Sequence, residues 1–478
     1  MYQSIQKEGI LLQFSEFLNS RRQNAGALIA ALQPDFDYVS ILGADIQAKS
    51  VRADKNSTNI ASGGDTECGF VVKMIGQGVF FEYALDDIDG NIGALAEKIT
   101  NAFRVSKSLK TPHVGDLRLP DEPLKQDYFR DSDLADYTDR QKLDFCKNLC
   151  NDLLARDEHI MNAFVSLATT QISKLFLSPS RELSQCYGWV NSSMAVVWKE
   201  NDKVVQAREG ANEGNIALVM EQLPKKMDAL LHKAHMLTTA KPIVPGVYDV
   251  IAAPSIAGLI AHEAFGHGVE MDQFVKDRAL AKEYVGKYVA SPIVNMRDGA
   301  ASAESVASYF FDDDGVLAGD TQIIKDGILV TGISDLASAV QLGTAPTGNG
   351  RRQCTRHKGY ARMTNTFFEA GHDKLEDMIA SIDHGYMLFD TNNGMEDPKN
   401  WAIQCVAEYG IEIVDGKLTD NWVSPVVMSG YVPDLLKSIT MVSDELEIIG
   451  AGGCGKGYKE WVRVSDGGPA LKAKVKLG

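Results

Sequence analysis

Apolar positions in residues 2–33 recur every three or four places: Ile10, Leu11, Phe14, Phe17 and Leu18, then Leu28 and Leu32. That spacing predicts a leading helix. From Tyr38 the period changes. Val39, Ile41 and Leu42, then Val51, Phe70-Val71-Val72 and Val79-Phe80-Phe81 read as short strands, with turns at Gly63-Gly64 and Gly76-Gln77-Gly78. Helical spacing returns from Asn91 to Val105. The polar residues 107–137, with Pro112, Pro120 and Pro123, read as an extended crossing. Asp139 to Ser173 reads as one long helix, interrupted or not, Val190 to Ala207 as strands joined at Glu200-Asn201-Asp202, and Glu221 to Leu237 as helix again.

The pattern changes at Lys241-Pro242-Ile243-Val244-Pro245-Gly246, which reads as a domain boundary. A strand from Val247 to Ala252 follows, then Pro254 and Ser255, and a serine there can cap the next helix. Beyond it the chain is rich in glycine and turns. Ile323-Ile324 and Ile328-Leu329-Val330 flank Asp326-Gly327, and Ile411 to Val414 leads into Asp415-Gly416; Asp-Gly steps of this kind signal hairpins. The expectation is an α+β chain, with a mixed α/β domain over 1–238 and a mostly β domain over 239–478. No repeat or low-complexity segment interrupts it.

The bulk numbers narrow the function. A chain of 478 residues is long enough for two or three domains, and 45% hydrophobic with 23% charged residues is the composition of a folded globular protein. A net charge of -16 argues against a nucleic-acid surface and against attraction to anionic membranes, although Arg351, Arg352, Arg356 and Lys358 form one local basic patch. The seven cysteines are an odd, scattered set, which suggests a reducing compartment; Cys146 and Cys150, four apart on a predicted helix, read as packed thiols. No secretory pattern opens the chain, and no apolar run approaches the roughly 18–20 residues that span a bilayer. The expected location is the cytoplasm.

The chemistry concentrates at His262-Glu263-Ala264-Phe265-Gly266-His267, which follows the apolar run from Ile256 to Ala261. In the short H-E-x-x-H motif two histidines four apart share a helix face and a metal. Here they are five apart, which separates the rings by about 140° around a straight helix. Both reach one ion only if the helix widens or ends between them. A π-bulge does this, and Gly266 is a place for it. The six residues alone fit a solvated or core His-Glu pair equally well, so a third ligand decides the matter. Glu270 and Asp272 are near in sequence; His357, His372, His384, Cys354, Cys405 and Cys454 are distant, and spacing does not choose among them.

Three other strings compete. Gly450 to Gly457 fits G-x-x-x-x-G-K, a phosphate loop in all but its last position, where Gly457 stands in place of the Ser or Thr that holds Mg²⁺. The same glycines would also let a turn present Cys454 as a thiolate ligand. Phe311-Asp312-Asp313-Asp314-Gly315 begins like a calcium loop but lacks the glycine and the terminal Glu, and reads as a solvated turn. Arg362-Met363-Thr364-Asn365-Thr366 contains no catalytic type and suits backbone hydrogen bonding within β structure.

Taken together, the string from His262 to Glu270, the segment Thr347-Gly348-Asn349-Gly350-Arg351-Arg352, the segment from Arg362 to Thr366 and Gly453-Cys454-Gly455-Lys456 resemble, in order, the TldD branch of the TldD/PmbA metallopeptidase family. The likeness is most specific in the second half; Phe80-Phe81-Glu82-Tyr83 departs from the Gly-Phe turn the family often shows. The resemblance implies an α+β N-terminal domain, a barrel-like β C-terminal domain, and zinc held by His262, His267 and Cys454. It implies Glu263 as general base, with Gly453 and Gly455 as weaker candidates for oxyanion donors. It also implies peptide or unfolded-protein substrates bound as an extended strand, and a heterodimer with a PmbA-like paralogue or a homodimer. A non-catalytic scaffold, as the paralogues lacking the motif are, and a phosphate-binding protein using Gly450–Gly457 are the alternatives.

Overall fold

The computed structural model describes residues 13–108, 122–200, 202–457 and 460–478. The described residues up to Ala234 form one compact unit, and those from His235 to Gly478 a second.

The first unit is built on an eight-stranded sheet. Its order runs Val79–Leu85, Glu67–Gly76, Tyr38–Asp54, Ile160–Leu177, Arg181–Glu200, Leu124–Phe129, with Thr58–Ser62 added to Tyr38–Asp54 and Lys203–Glu213 to Arg181–Glu200. The helices Glu16–Leu32 and Ile92–Ser108 bury Leu18, Leu28, Ile99 and Phe103 against Ile41, Phe70 and Met74. Ser15 caps the first helix by accepting from the Leu18 N–H. The predicted leading helix thus holds from Glu16; its first part, residues 2–12, lies outside the described residues, as does 109–121 of the predicted crossing.

Two expectations here need correction. Asp139 to Ser173 is not one helix. The helix Asp139–Arg156 starts in a Thr138/Gln141 capping box, and Ile160–Leu177 is a strand of 18 residues. That strand is paired along both edges, to Tyr38–Asp54 and Arg181–Glu200, and it buries Ala163, Val165 and Leu167 at period two. Two-sided pairing outweighs local helical spacing. The helix expected over Glu221 to Leu237 is two helices, Ile216–Lys225 and Met227–Thr239, broken at Lys226 just after Pro224.

The second unit contains a closed five-stranded barrel. Around it run Gly246–Ala252, Leu471–Leu477, Val426–Tyr431, Ala402–Val414 and His384–Asp397, which pairs back onto Gly246–Ala252. Val250, Ala252, Met428, Leu471, Ala473 and Val475 fill it. A six-stranded sheet stands beside it in the order Ile328–Leu329, Thr321–Lys325, Met296–Asp298, Asn365–Phe368, Glu460–Gly468, Glu447–Lys456. Both Asp-Gly steps make the expected hairpins: Asp326 and Gly327 have φ of 50° and 78°, and Asp415 and Gly416 50° and 73°. No helix among the described residues is long and apolar enough to cross a membrane.

The helix Pro254–Leu259 leaves the barrel strand Gly246–Ala252 directly. Ser255 does not cap it. Ala253 is the capping residue, Pro254 takes the first helical position, where its missing N–H costs nothing, and the Ser255 hydroxyl accepts from the Asp390 N–H instead. Ile256, Leu259, Ile260 and Phe265 are buried, each side chain contributing about 1.5–3 kcal/mol. The helix lies directly on the sheet backbone: a Cβ at Gly258 would stand 2.6 Å from the Gly467 nitrogen. Gly258→Ala is therefore expected to cost about 1–3 kcal/mol through overpacking. By contrast Gly430→Ala, with nothing within 4 Å of its Cβ, leaves the denaturation midpoint close to that of the parent chain. Equal midpoints for the two variants would contradict this packing.

Candidate metal centre

The five-residue spacing of the histidines is accommodated as the sequence requires. Ile260–Gly266 is a π-helical turn, and the His267 N–H bonds to the His262 carbonyl five residues back. A 3₁₀ turn, His267–Val269, follows at once. Widening the turn brings the two imidazoles onto one side, with ring centroids 5.2 Å apart and planes at 87°. Gly266 itself has ordinary helical dihedrals, φ -60° and ψ -49°. Its use is room: a Cβ there would stand 2.1 Å from the Met363 sulfur.

The third candidate ligand comes from the far end of the sequence. Cys454 lies in the strand Glu447–Lys456, paired antiparallel to Glu460–Gly468 with Cys454 opposite Val462. Its Sγ is 3.4 Å from His267 Nε2. One ligand atom from each of His262, His267 and Cys454 lies within 4.8 Å of the others, and among the described residues this is the one such His/Cys/Asp/Glu group. His262 and Cys454 are buried and His267 half-buried. The donor set fits a borderline-soft divalent ion: two imidazoles and a thiol with no competing protein function. Burial opposes charge on all three. Cys454 nevertheless holds both imidazoles above their usual range, and the imidazoles hold the Cys454 thiol well below its own.

Glu263 stands next to His262 and is half-buried. Gly394 of the strand His384–Asp397 leaves space for its stem, since a Cβ there would come within 2.4 Å of Glu263 Cγ. Two residues on, Glu396 places its carboxyl among Glu263, His267 and Glu270. Neither Glu396 oxygen makes a hydrogen bond of good geometry, and burial pushes this carboxyl well above the usual range.

This arrangement has relatives. The model of the PmbA/TldA metallopeptidase C-terminal domain matches residues 245–475. A metalloprotease of Synechocystis sp. is 28% identical over 94% of this chain and 96% of its own length. A zinc metalloprotease TldD homolog of Saccharolobus solfataricus is 31% identical over 49% of this chain and 52% of its own. The solved structure of TldE from Thermococcus kodakarensis superposes with a TM-score of 0.76 at 18% identity, covering 95% of this chain and 100% of that one, which shows a common fold. Residues 245–475 belong to the PmbA/TldD family.

Within this PmbA/TldD region the remaining candidates fall outside the three-ligand group. Glu270 is buried beside His267: its Oε2 is 3.2 Å from His267 Nδ1 and 3.0 Å from Lys456 Nζ. Burial alone would raise the Glu270 carboxyl, but Lys456, His267 and Arg362 bring it down to about 2. Asp272 takes the Lys456 ammonium at 2.6 Å. Cys405 is buried in the barrel, Cys354 Sγ pairs with His357 Nδ1 at 3.0 Å, and His384 pairs with Glu412.

The phosphate-loop reading is overturned. Gly450 to Lys456 is part of a strand, and the Lys456 ammonium is buried and taken by Glu270, Asp272 and the Ala361 carbonyl. Gly453 and Gly455 alternate with Cys454, so they face away from the thiol and lie beneath the Trp461 indole, 3.5 Å from where each Cβ would be. The aspartate run is not a solvated turn either. Asp312, Asp313 and Asp314 are buried and accept backbone N–H bonds from Gly350, Arg352 and Leu336. Half of the basic patch is drawn inward: Arg352 is buried and Arg351 is bonded to the Met363 and Arg463 carbonyls, while Arg356 and Lys358 are exposed. Arg362 does structural work beyond the expectation: it is fully buried and donates to the Cys454 carbonyl at 2.6 Å. Sequence reasoning missed the roles of Arg362, Lys456 and Glu396. The available signal was an Arg and a Lys within apolar, glycine-rich strings, where charge has to be paired.

Proposed function

We propose that this chain is a zinc-dependent peptidase that hydrolyses peptides and unfolded polypeptide segments. The observation that carries the reading is the convergence of His262, His267 and Cys454 on one point, with Glu263 as the neighbouring carboxylate outside the ligand set. Zinc held by one thiolate and two neutral imidazoles keeps a positive charge and supplies a Lewis acid for the scissile carbonyl and for water. Glu263 takes the proton from the attacking water and delivers it to the leaving amine. Cys454 and the two histidines hold the ion, and the π-turn fixes the angle between their rings.

The substrate form follows from the strand that carries Cys454. Among the described residues, Glu447–Lys456 stands at the end of the six-stranded sheet, next to Glu460–Gly468, and Arg362 donates to its Cys454 carbonyl. A strand at the end of a sheet can accept an extended peptide through its remaining main-chain groups and tolerates many side chains. A folded domain has few free edges to offer in return. The proposed working form is a complex with a PmbA-like paralogue. The test assays a flexible peptide against the same sequence held inside a stable fold, using the purified chain alone and together with such a paralogue. Cleavage confined to the flexible form, and raised by the paralogue, is the expected outcome. Equal cleavage of both forms would sink the unfolded-substrate claim; full activity of the lone chain would sink the partner claim.

A further inference from the structure

We propose that Glu270, clamped between Lys456 and Arg362, is the positioning residue that sets the His267 ring, directing Nε2 to the metal and holding the proton on Nδ1. The inference rests on the metallopeptidase reading above. An imidazole offers a metal one of two nitrogens, and the choice is made by what the other nitrogen bonds. Here the two face different partners: Nδ1 is 3.2 Å from Glu270 Oε2, and Nε2 is 3.4 Å from Cys454 Sγ. The ring therefore bridges a buried carboxyl on one side and the thiol on the other.

Glu270 is 1% exposed, and its environment is built to keep it there. Lys456 Nζ lies 3.0 Å from Oε2 and Arg362 Nε 3.7 Å from Oε1. Asp272 supplies a second carboxylate to Lys456 and also takes the Lys276 ammonium, so three cations meet two carboxylates. A buried charge persists only when paired in this way.

The same cluster reaches the other side of the site. Lys456 follows Cys454 by two residues on one strand, so both side chains leave the same face. Arg362 donates to the Cys454 carbonyl at 2.6 Å and to the Glu460 carbonyl at 3.1 Å. One ion cluster thus fixes the ring of His267 and the backbone of Cys454. Those two ligands are 187 residues apart in sequence, and the cluster sets their relative position.

The experiment reads the ring directly. The full chain is labelled with ¹⁵N-histidine and loaded with zinc, and long-range nitrogen–proton spectra assign His267 by comparison with His267→Ala. The expected result is a protonated Nδ1 and a metal-bound Nε2. A metal-bound Nδ1 would overturn the inference and leave the zinc reading standing. Failure of the wild-type chain to take up zinc would overturn both. In parallel, Glu270→Gln is expected to weaken zinc binding about 10–100-fold in competition with a chromophoric chelator, with Glu270→Asp recovering part of the loss. Wild-type zinc affinity in a folded Glu270→Gln protein would also overturn it.

Discussion

Replacing Glu263 by glutamine is expected to lower kcat on a flexible peptide by about 10²–10⁴ while leaving zinc bound. The amide keeps the size and the stem of the side chain, so it still fits beneath Gly394, but it has no basic oxygen to take a proton from water. Glu263 is not a member of the three-ligand group, so the ion keeps its protein donors. The measurement pairs single-turnover hydrolysis with metal content on the same preparation. Near-wild-type turnover would remove Glu263 from the chemistry and leave Glu396, a further carboxyl near His267 and Glu263, to be tried next.

Removing a ligand is expected to do more. Cys454→Ala, or His262→Ala, leaves two protein donors where hydrolytic zinc sites keep three. Zinc and activity are expected to fall together, with zinc below one tenth of the wild-type content after dialysis. The thermal midpoint is expected to lose its response to added zinc, because an ion that binds the folded state stabilises it by mass action. Cys146→Ala, at a thiol buried on the helix Asp139–Arg156 of the first unit, is the matching control and keeps both. Retention of zinc by Cys454→Ala would show that the metal sits elsewhere.

Much of this was legible in the sequence, for identifiable reasons. Asp326-Gly327 and Asp415-Gly416 announced their hairpins because a two-residue turn with two positive φ values admits few residue types. The five-residue histidine spacing announced the π-turn, since a straight helix would send the rings apart. The long strand Ile160–Leu177 was not legible, because its identity depends on partners on both edges, one of them well over a hundred residues earlier. The third candidate ligand was chosen by resemblance, not spacing: Cys454 lies 187 residues from His267 and is brought to it by the strand Glu447–Lys456. The roles of Glu270, Lys456 and Arg362 are tertiary in the same sense. Lys456 is the clearest case, since a glycine-rich string ending in lysine reads as a phosphate cradle until the carboxylates that claim its ammonium are seen.

The central claim is that two imidazoles and one thiolate of this chain hold zinc. X-ray absorption at the zinc edge, on the wild-type chain purified with its metal, tests it most directly. The expected result is one zinc per chain with one sulfur neighbour at about 2.3 Å and nitrogen or oxygen neighbours at about 2.0–2.1 Å. A zinc shell without sulfur, or a folded chain that takes up no zinc, would contradict it.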